Sequence, residues 1–255
     1  YDESNWAELV SKKYKTNHTL ETINSKFDND IILESINAFD ELYSDPSTVL
    51  SYQISKVISK NYKVAISGDG GDELLGGYKR TSLMLKRRTL PNSVVKFLHK
   101  IYPKHYGSAQ EILYRKKDLG MAYSSFFEDN NLLNLLKLNP ADRYSELFFK
   151  ESENDYKNLL LSDYKFYLPE MMMLKVDRSS MANSLEVRSP FVDHKLVEYI
   201  LSTETKFLDN SPKSLLKNYL KPDFSQDFLN RQKQGFVFDL ENWVYMNIDQ
   251  INETI

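Results

Sequence analysis

Cysteine is absent from this 255-residue chain. Its absence excludes disulfide bonds, cysteine-ligated zinc sites and a thiol nucleophile within these residues. Histidine is nearly as scarce, and the four histidines (His18, His99, His105 and His194) are too widely separated in the sequence to indicate a metal cluster. The sequence has neither a signal-peptide pattern nor an apolar run near the roughly 20 residues that a membrane-spanning helix needs. We therefore predict a cytoplasmic protein with no membrane partner.

Glycine and proline are also scarce, at eight residues each, which favours helices over a turn-rich all-β fold. The formal net charge of −3 gives no general reason to expect nucleic acid as a partner. Lysine and arginine do cluster between positions 86 and 117, but such a cluster is usually a solvated helical face, and no nucleic-acid motif accompanies it. The composition is that of a helix-rich globular protein with no nucleic-acid partner.

Apolar residues recur at helical spacing through most of the chain. We predict a helix capped by Ser4, a second helix after Asp28 and a third that opens at Pro46 and Ser47. The best strand candidate is the short apolar segment 63–66, Lys-Val-Ala-Ile.

The composition changes near Arg80, because strand patterns almost vanish beyond it. We therefore predict an α/β nucleotide-binding part over residues 1–80 and a helical part over residues 81–255.

A glycine-rich segment, SGDGGDELLGGYKR, follows the strand candidate and runs from Ser67 to Arg80. It is not a P-loop, because no Lys-Ser or Lys-Thr follows the glycines, and Glu73 occupies the third glycine position of a dinucleotide fingerprint. A tight turn at the carboxyl end of a parallel strand is nevertheless where α/β proteins bind ligands. Carboxylates beside a phosphate are understandable if Mg²⁺ lies between them. On the residues alone, a helix start with solvated acids is an equal alternative.

The same segment closely resembles the SGDGGDE-L/F-GGY signature of the asparagine synthetase family, ATP-dependent amide-forming enzymes with the ATP-pyrophosphatase fold. Three further segments are similar to family motifs and occur in the family's order: DELYSDPS at 40–47, LKVDRSSMANSLEVRSPFVDHKLVE at 174–198, and RQKQGF at 231–236, which Trp243 follows. Four ordered matches cover nearly the whole chain, so it is identified as a member of this family.

Some features of the family pattern are missing. Leu42 replaces a proline, Ser189 stands where an apolar residue is commoner, and Val237 and Asp239 replace a glycine and a proline. The family's SGGxDS pyrophosphate loop and the N-terminal cysteine of its glutaminase domain do not occur in the sequence. We therefore expect the C-terminal part of a synthetase domain: an α/β fold with a truncated adenine-nucleotide-hydrolase-like parallel sheet and a predominantly α-helical C-terminal half.

The resemblance implies an asparagine synthase (glutamine-hydrolysing) type of ligase. Its substrates would be aspartate, ATP with Mg²⁺, and ammonia from glutamine, and its intermediate would be β-aspartyl-AMP. An N-terminal glutaminase domain would lie in the parent protein, a homodimer is one expected assembly, and the isolated chain would be inactive. The alternatives are a related amide synthetase for another carboxylate, a catalytically inactive binding module and a tRNA-modifying enzyme.

The resemblance also assigns roles to individual residues. Asp69 and Lys233 would be catalytic, with Lys233 supplying positive charge to the phosphates. The nucleotide would contact a set of loop residues together with Lys233: Ser67, Gly68, Gly70 and Asp72. Asp72 would be the Mg²⁺ ligand. Glu73 is either a metal-shell residue or a helix-start acid, and we favour the second role.

Other charged residues receive weaker assignments. Asp177, Arg178 and Arg231 are candidates for substrate positioning. We expect Glu186 and Arg188 to brace the site through a buried ion pair. Among the acids of the first similar segment, we expect Asp45 to cap the helix that begins near Ser47.

Overall fold

The computed structural model describes residues 3–21, 29–41, 43, 45–85, 91–101, 118–127, 147–203, 212–231 and 240–249. Most of these residues are helical, and the described ranges contain these α-helices: α1 (Ser4–Tyr14), α2 (Asn29–Asn37), α3 (Ser47–Ile58), α4 (Gly71–Leu75), α5 (Lys79–Leu85), α6 (Asn92–Ile101), α7 (Leu119–Ser124), α8 (Asp155–Ser162), α9 (Leu174–Met181), α10 (His194–Ser202), α11 (Ser214–Leu220), α12 (Gln226–Asn230) and α13 (Leu240–Met246). The other regular elements are strands β1 (Val64–Ile66) and β2 (Glu186–Arg188), a π-helix (Asp163–Met173) and a 3₁₀ turn (Pro190–Val192). The predicted α/β class with a helical C-terminal half is confirmed.

The chain divides into two compact units. The first comprises Tyr1–Ser67, Leu174–Arg188 and Asp223–Ile255. The second comprises Gly68–Met173 and Ser189–Pro222. In the described ranges, every helix is too short or too polar to cross a membrane.

Strands β1 and β2 of the first unit form a parallel pair, with Val64 opposite Glu186 and Ile66 opposite Arg188. Facing residues of a parallel pair lie on one face of the sheet, and on this face the Val64 and Ile66 side chains are 45% and 77% exposed. β1 lies where the sequence predicts it. β2 lies far beyond Arg80, in a region where the sequence shows almost no strand pattern, because three residues are too few to display alternation.

Helices pack on one another in the rest of the first unit. Ile32 of α2 and Val49 of α3 form a small core that Trp243 of α13 covers. α1 begins at Ser4, so this residue is the first in the helix and not its predicted cap. α3 begins at Ser47 as predicted, since the Asp45 carboxylate accepts hydrogen bonds from the backbone N–H and the hydroxyl of Ser47 at 2.9 and 2.7 Å.

The second unit has its own cores. Leu74 and Leu75 of α4 pack with Val197 and Ile200 of α10. A second cluster joins α5, α7 and α8 through four buried side chains: Met84, Leu119, Tyr123 and Leu159. α8 ends at Ser162, and the chain continues directly as the π-helix, which contains Pro169.

Candidate active site

The glycine-rich segment leaves β1 at Ser67, whose backbone N–H still continues the sheet ladder by donating to the Arg188 carbonyl at 2.9 Å. The Ser67 hydroxyl is buried and has no hydrogen-bond partner among the described residues. Gly68 follows, and a Cβ placed there would have no atom within 4 Å. A parallel strand thus delivers these two candidate nucleotide-binding residues to its carboxyl end, the edge of a sheet at which α/β proteins bind ligands.

Gly70 and Gly71 lie against the 3₁₀ turn of the second unit. Gly70 has a φ of +82°, and a Cβ on it would approach Val192 Cγ1 to 2.8 Å. A Cβ on Gly71 would lie 3.3 Å from Phe191 Cδ2. These glycines are therefore required by backbone conformation and by packing, whether or not a ligand approaches them.

Ser189 directly precedes this 3₁₀ turn, and its hydroxyl donates a hydrogen bond to the Asp69 carbonyl. This hydrogen bond thus links two of the segments that resemble family motifs, the glycine-rich loop and the RSPFV stretch.

Asp72 lies in the first turn of α4, where its carboxylate Oδ1 is 2.6 Å from the Nζ atom of Lys213. Lys213 precedes α11 in a left-handed conformation with a φ of 56°, and its backbone N–H donates to the Leu75 carbonyl at the end of α4. Positive charge is therefore present beside the acidic loop, on a lysine to which the sequence analysis assigned no role. The sequence does contain one signal for Lys213. A lysine at the start of a helix is unfavourable because of the helix macrodipole, so its presence there indicates a nearby negative charge.

Gly77 makes this ion pair sterically feasible. A Cβ at Gly77 would overlap Oδ1 of Asp72 and would lie 2.6 Å from Cε of Lys213. The backbone N–H of Gly77 also donates to the Asp72 carbonyl at 2.8 Å. Gly77 thus leaves space for the Asp72 carboxylate and adds a hydrogen bond at the end of α4.

Glu73 lies in the first turn of α4, as predicted, but it is buried and not solvated, with 1% of its surface exposed. Its Oε1 accepts a hydrogen bond from the Tyr78 hydroxyl. Burial raises the pKa of Glu73 above its ordinary value, and the hydrogen bond from Tyr78 offsets only part of that shift. This carboxylate is therefore engaged within the protein and is a poor candidate for a metal ligand.

Of the two acids in the first turn of α4, Asp72 is the more exposed, with 18% of its side chain accessible, and it stays the predicted Mg²⁺ ligand. Within the described residues, no group of three or more acids or histidines could hold a metal ion. Mg²⁺ usually needs only one or two carboxylates together with substrate phosphates, so a single aspartate beside a loop that is predicted to bind phosphate is compatible with that pattern.

The weaker site candidates of the first unit have other partners. Arg178 forms an exposed ion pair with Asp40, at 2.9 Å between Nη1 and Oδ2. Arg231 donates to the Phe228 carbonyl at 2.8 Å and its guanidinium lies over the ring of the same residue, so it closes the end of α12. Asp177 is exposed on α9. Lys233 lies outside the described residues.

The expected brace between Glu186 and Arg188 is only partly correct. The two side chains do pair, at 2.8 Å between Oε1 and Nε, but they are 54% and 66% exposed. Both lie on the open face of the two-stranded sheet, so the pair is not buried as we predicted. A more buried ion pair of the first unit joins Lys175 to Asp45, whose side chains are 10% and 21% exposed, with 2.9 Å between Nζ and Oδ2.

Comparison with known proteins shows the family of the chain. The family model for asparagine synthase matches residues 1–254. Asparagine synthetase (glutamine-hydrolyzing) 1 of Bacillus subtilis (strain 168) is 30% identical over 223 residues, 81% of this chain and 35% of that protein. Asparagine synthetase (glutamine-hydrolyzing) 3 of the same organism is 27% identical over 246 residues, 92% of this chain and 36% of that protein.

A third relative, the putative asparagine synthetase (glutamine-hydrolyzing) 2 of Methanocaldococcus jannaschii, is 31% identical over 147 residues, 57% of this chain and 26% of that protein. The chain thus spans about a third of the length of the first two relatives. The match to the family model extends over almost all of its residues, and the chain belongs to the asparagine synthase family.

Proposed function

We propose that the full-length protein containing this chain catalyses ATP-dependent amide synthesis and makes asparagine from aspartate. The family match over residues 1–254, together with an intact SGDGGDE loop at the carboxyl end of β1, supports this proposal most strongly. In the reaction, an oxygen of the aspartate side-chain carboxylate attacks the α-phosphorus of ATP and pyrophosphate leaves. Ammonia derived from glutamine then attacks the acyl carbon of β-aspartyl-AMP, and AMP leaves with an oxygen from aspartate.

The chain supplies charge and position for this chemistry. The loop backbone from Ser67 to Gly70 would lie against the nucleotide, and Asp69 would act on the acyl-adenylate. Lys213, 2.6 Å from Asp72, places an ammonium group beside the loop, and Lys233 would supply a second one. Fixed cations at developing phosphate charge are an effective form of electrostatic catalysis.

Mg²⁺ belongs to this proposal, with Asp72 as the residue that would hold it. When bound, it would neutralise part of the charge on the phosphates of ATP. We also propose a cytoplasmic location, a glutaminase domain that supplies the ammonia, and a homodimer as the assembly.

Oxygen-18 transfer tests the reaction directly. The full-length protein is incubated with aspartate labelled in its side-chain carboxylate, ATP, Mg²⁺ and glutamine or ammonia, and the products are analysed by mass spectrometry. We expect asparagine, pyrophosphate and AMP carrying one labelled oxygen. Label in inorganic phosphate together with ADP would instead indicate an acyl phosphate. Unlabelled AMP would contradict the adenylate. If labelled AMP forms only when another labelled carboxylate replaces aspartate, the protein is a related amide synthetase.

Matched variants connect the reaction to the loop. Asp69→Asn should lower the rate of AMP formation by about 100-fold or more, as loss of a group that acts on the transition state does. Glu151→Gln is the control, because Glu151 is an exposed carboxylate of the second unit whose partner is Lys165. Equal rates for the two variants would remove Asp69 from the mechanism.

A further inference from the structure

A buried arginine lies directly after the acidic loop, in α5. The side chain of Arg80 is 13% exposed and that of its partner Asp163 is 1% exposed, with 2.7 Å between Nη2 and Oδ1. The Tyr123 hydroxyl donates to the same Asp163 oxygen at 2.9 Å. Burial opposes the charged form of Arg80. The charge of Asp163, the hydrogen bond to it and the neighbouring Tyr123 and Tyr167 together outweigh burial, so the pKa of the guanidinium is raised. Arg80 and Asp163 thus form a charged pair inside the second unit.

Aromatic rings enclose the guanidinium. Its central carbon is 3.9 Å from the ring centroid of Tyr78, 4.3 Å from that of Tyr167 and 5.5 Å from that of Phe127. Tyr78 and Tyr167 also contact each other edge to face, with their centroids 5.4 Å apart. A planar guanidinium can stack on such rings and donate to a carboxylate at the same time, which an ammonium group cannot do.

Tyr78 connects this cluster to the acidic loop. Its ring lies under Arg80 and its hydroxyl donates to Glu73, the buried acid next to Asp72. α4 has only five residues and cannot be stable on its own, so tertiary contacts must fix its first turn. The chain of contacts from Asp163 through Arg80 and Tyr78 to Glu73 provides such a contact.

We propose that Arg80 is a positioning residue, which fixes the acidic turn Asp69–Glu73 through Tyr78 and Glu73. Its effect on catalysis rests on the function proposed above. Displacing a reacting group by about 1 Å can cost about 100-fold in rate, so the placement of this turn would matter for the chemical step. Asp163 and Tyr123 hold Arg80 in the orientation that this requires.

Two variants of the full-length protein test the proposal. Arg80→Lys keeps the charge but loses the planar group, and Tyr78→Phe removes only the hydroxyl that reaches Glu73. We expect each to lower kcat for pyrophosphate release by about tenfold or more while KM for ATP changes by less than about threefold. Lys79→Arg is the control, because Lys79 is exposed beside Arg80. A merely structural role would reduce the amount of folded enzyme and leave kcat per folded molecule unchanged.

Hydrogen exchange provides a readout that needs no activity. The amides of residues 69–78 should exchange about tenfold faster in Arg80→Lys and in Tyr78→Phe than in the unchanged protein, and the Lys79→Arg variant should not differ. Normal exchange and normal kcat in Tyr78→Phe would overturn the proposal, even if Arg80→Lys fails to fold. If the unchanged protein releases no pyrophosphate with aspartate, the proposed function fails, and exchange alone still decides whether Arg80 places the turn.

Discussion

Asp45 shows how a single residue can serve both local and tertiary structure. It caps α3 through Ser47 and also pairs with Lys175 of α9, a buried lysine. Burial alone would raise the pKa of Asp45, but the hydrogen bonds from Ser47 and the charge of Lys175 outweigh it, and the pKa lies below its ordinary value. The sequence predicts the cap because it is local, whereas Lys175 follows 130 residues later and is brought close only by folding.

The stability of the chain should therefore depend on Asp45 and on pH. An aspartate whose pKa is lower in the folded state contributes stability above its unfolded pKa of about 3.9 and loses it as the pH falls through the folded value. We expect Asp45→Asn to be less stable than the unchanged chain at pH 7, with a difference that shrinks below about pH 4. Urea unfolding over a range of pH values measures this.

Asp40→Asn is the control for this prediction. Asp40 is 80% exposed and pairs with Arg178, so its loss should change the free energy of unfolding by less than about 1 kcal/mol. A stability difference for Asp45→Asn that stays constant down to about pH 2 would contradict the predicted role of the carboxylate charge.

At the scale of elements, α4 depends on the glycine pair that follows it. Gly76 closes the helix in a left-handed conformation, with a φ of +66°. Gly77 leaves room for the Asp72–Lys213 ion pair. The left-handed turn after a helix is a frequent local role of glycine, whereas the space limit at Gly77 arises from the tertiary structure that brings Lys213 to Asp72.

Replacing Gly77 with alanine should destabilise the chain by about 1–3 kcal/mol, because the added Cβ overlaps the Asp72 carboxylate and must displace it from Lys213. The free energy of unfolding in urea checks this value. Gly68→Ala is the matched control in the same loop, since a Cβ there meets nothing within 4 Å. Equal stability of the two variants would show that the Asp72 carboxylate adapts without cost.

At the scale of the whole molecule, the two-stranded sheet is the unusual feature. Parallel sheets occur almost only with both faces covered, yet Val64 and Ile66 of β1 are exposed. We propose that further strands and helices of the full-length protein cover this face, as the truncated sheet of the sequence analysis predicts.

Hydrogen exchange would test the proposed continuation of the sheet. The amides of Val64 and Ile66 should exchange more slowly in the full-length protein than in the 255 residues alone, by about tenfold or more if a strand pairs with β1. The amides of α10, a helix of the second unit, serve as an internal control. Equal exchange of β1 in both proteins would contradict the continuation.

Local signals in the sequence account for much of the fold and for part of the candidate site. The start of α3 at Ser47, the strand at Val64 and the turn after Ser67 each depend on a few neighbouring residues, so composition and spacing predict them. The strand β2 and the partner of Asp72 depend on residues more than 100 positions away. No local pattern reports such distances.

The sequence by itself determined the family, because four ordered motifs survive along nearly the whole chain and need no coordinates to be recognised. It also determined that acids follow the glycines of the loop. Only the tertiary structure decided which partners those acids have, since it placed Lys213 beside Asp72 and buried Glu73 against Tyr78. The physical reason is that the state of a carboxylate depends on burial and on charges within a few ångströms, and both are set by the folded chain.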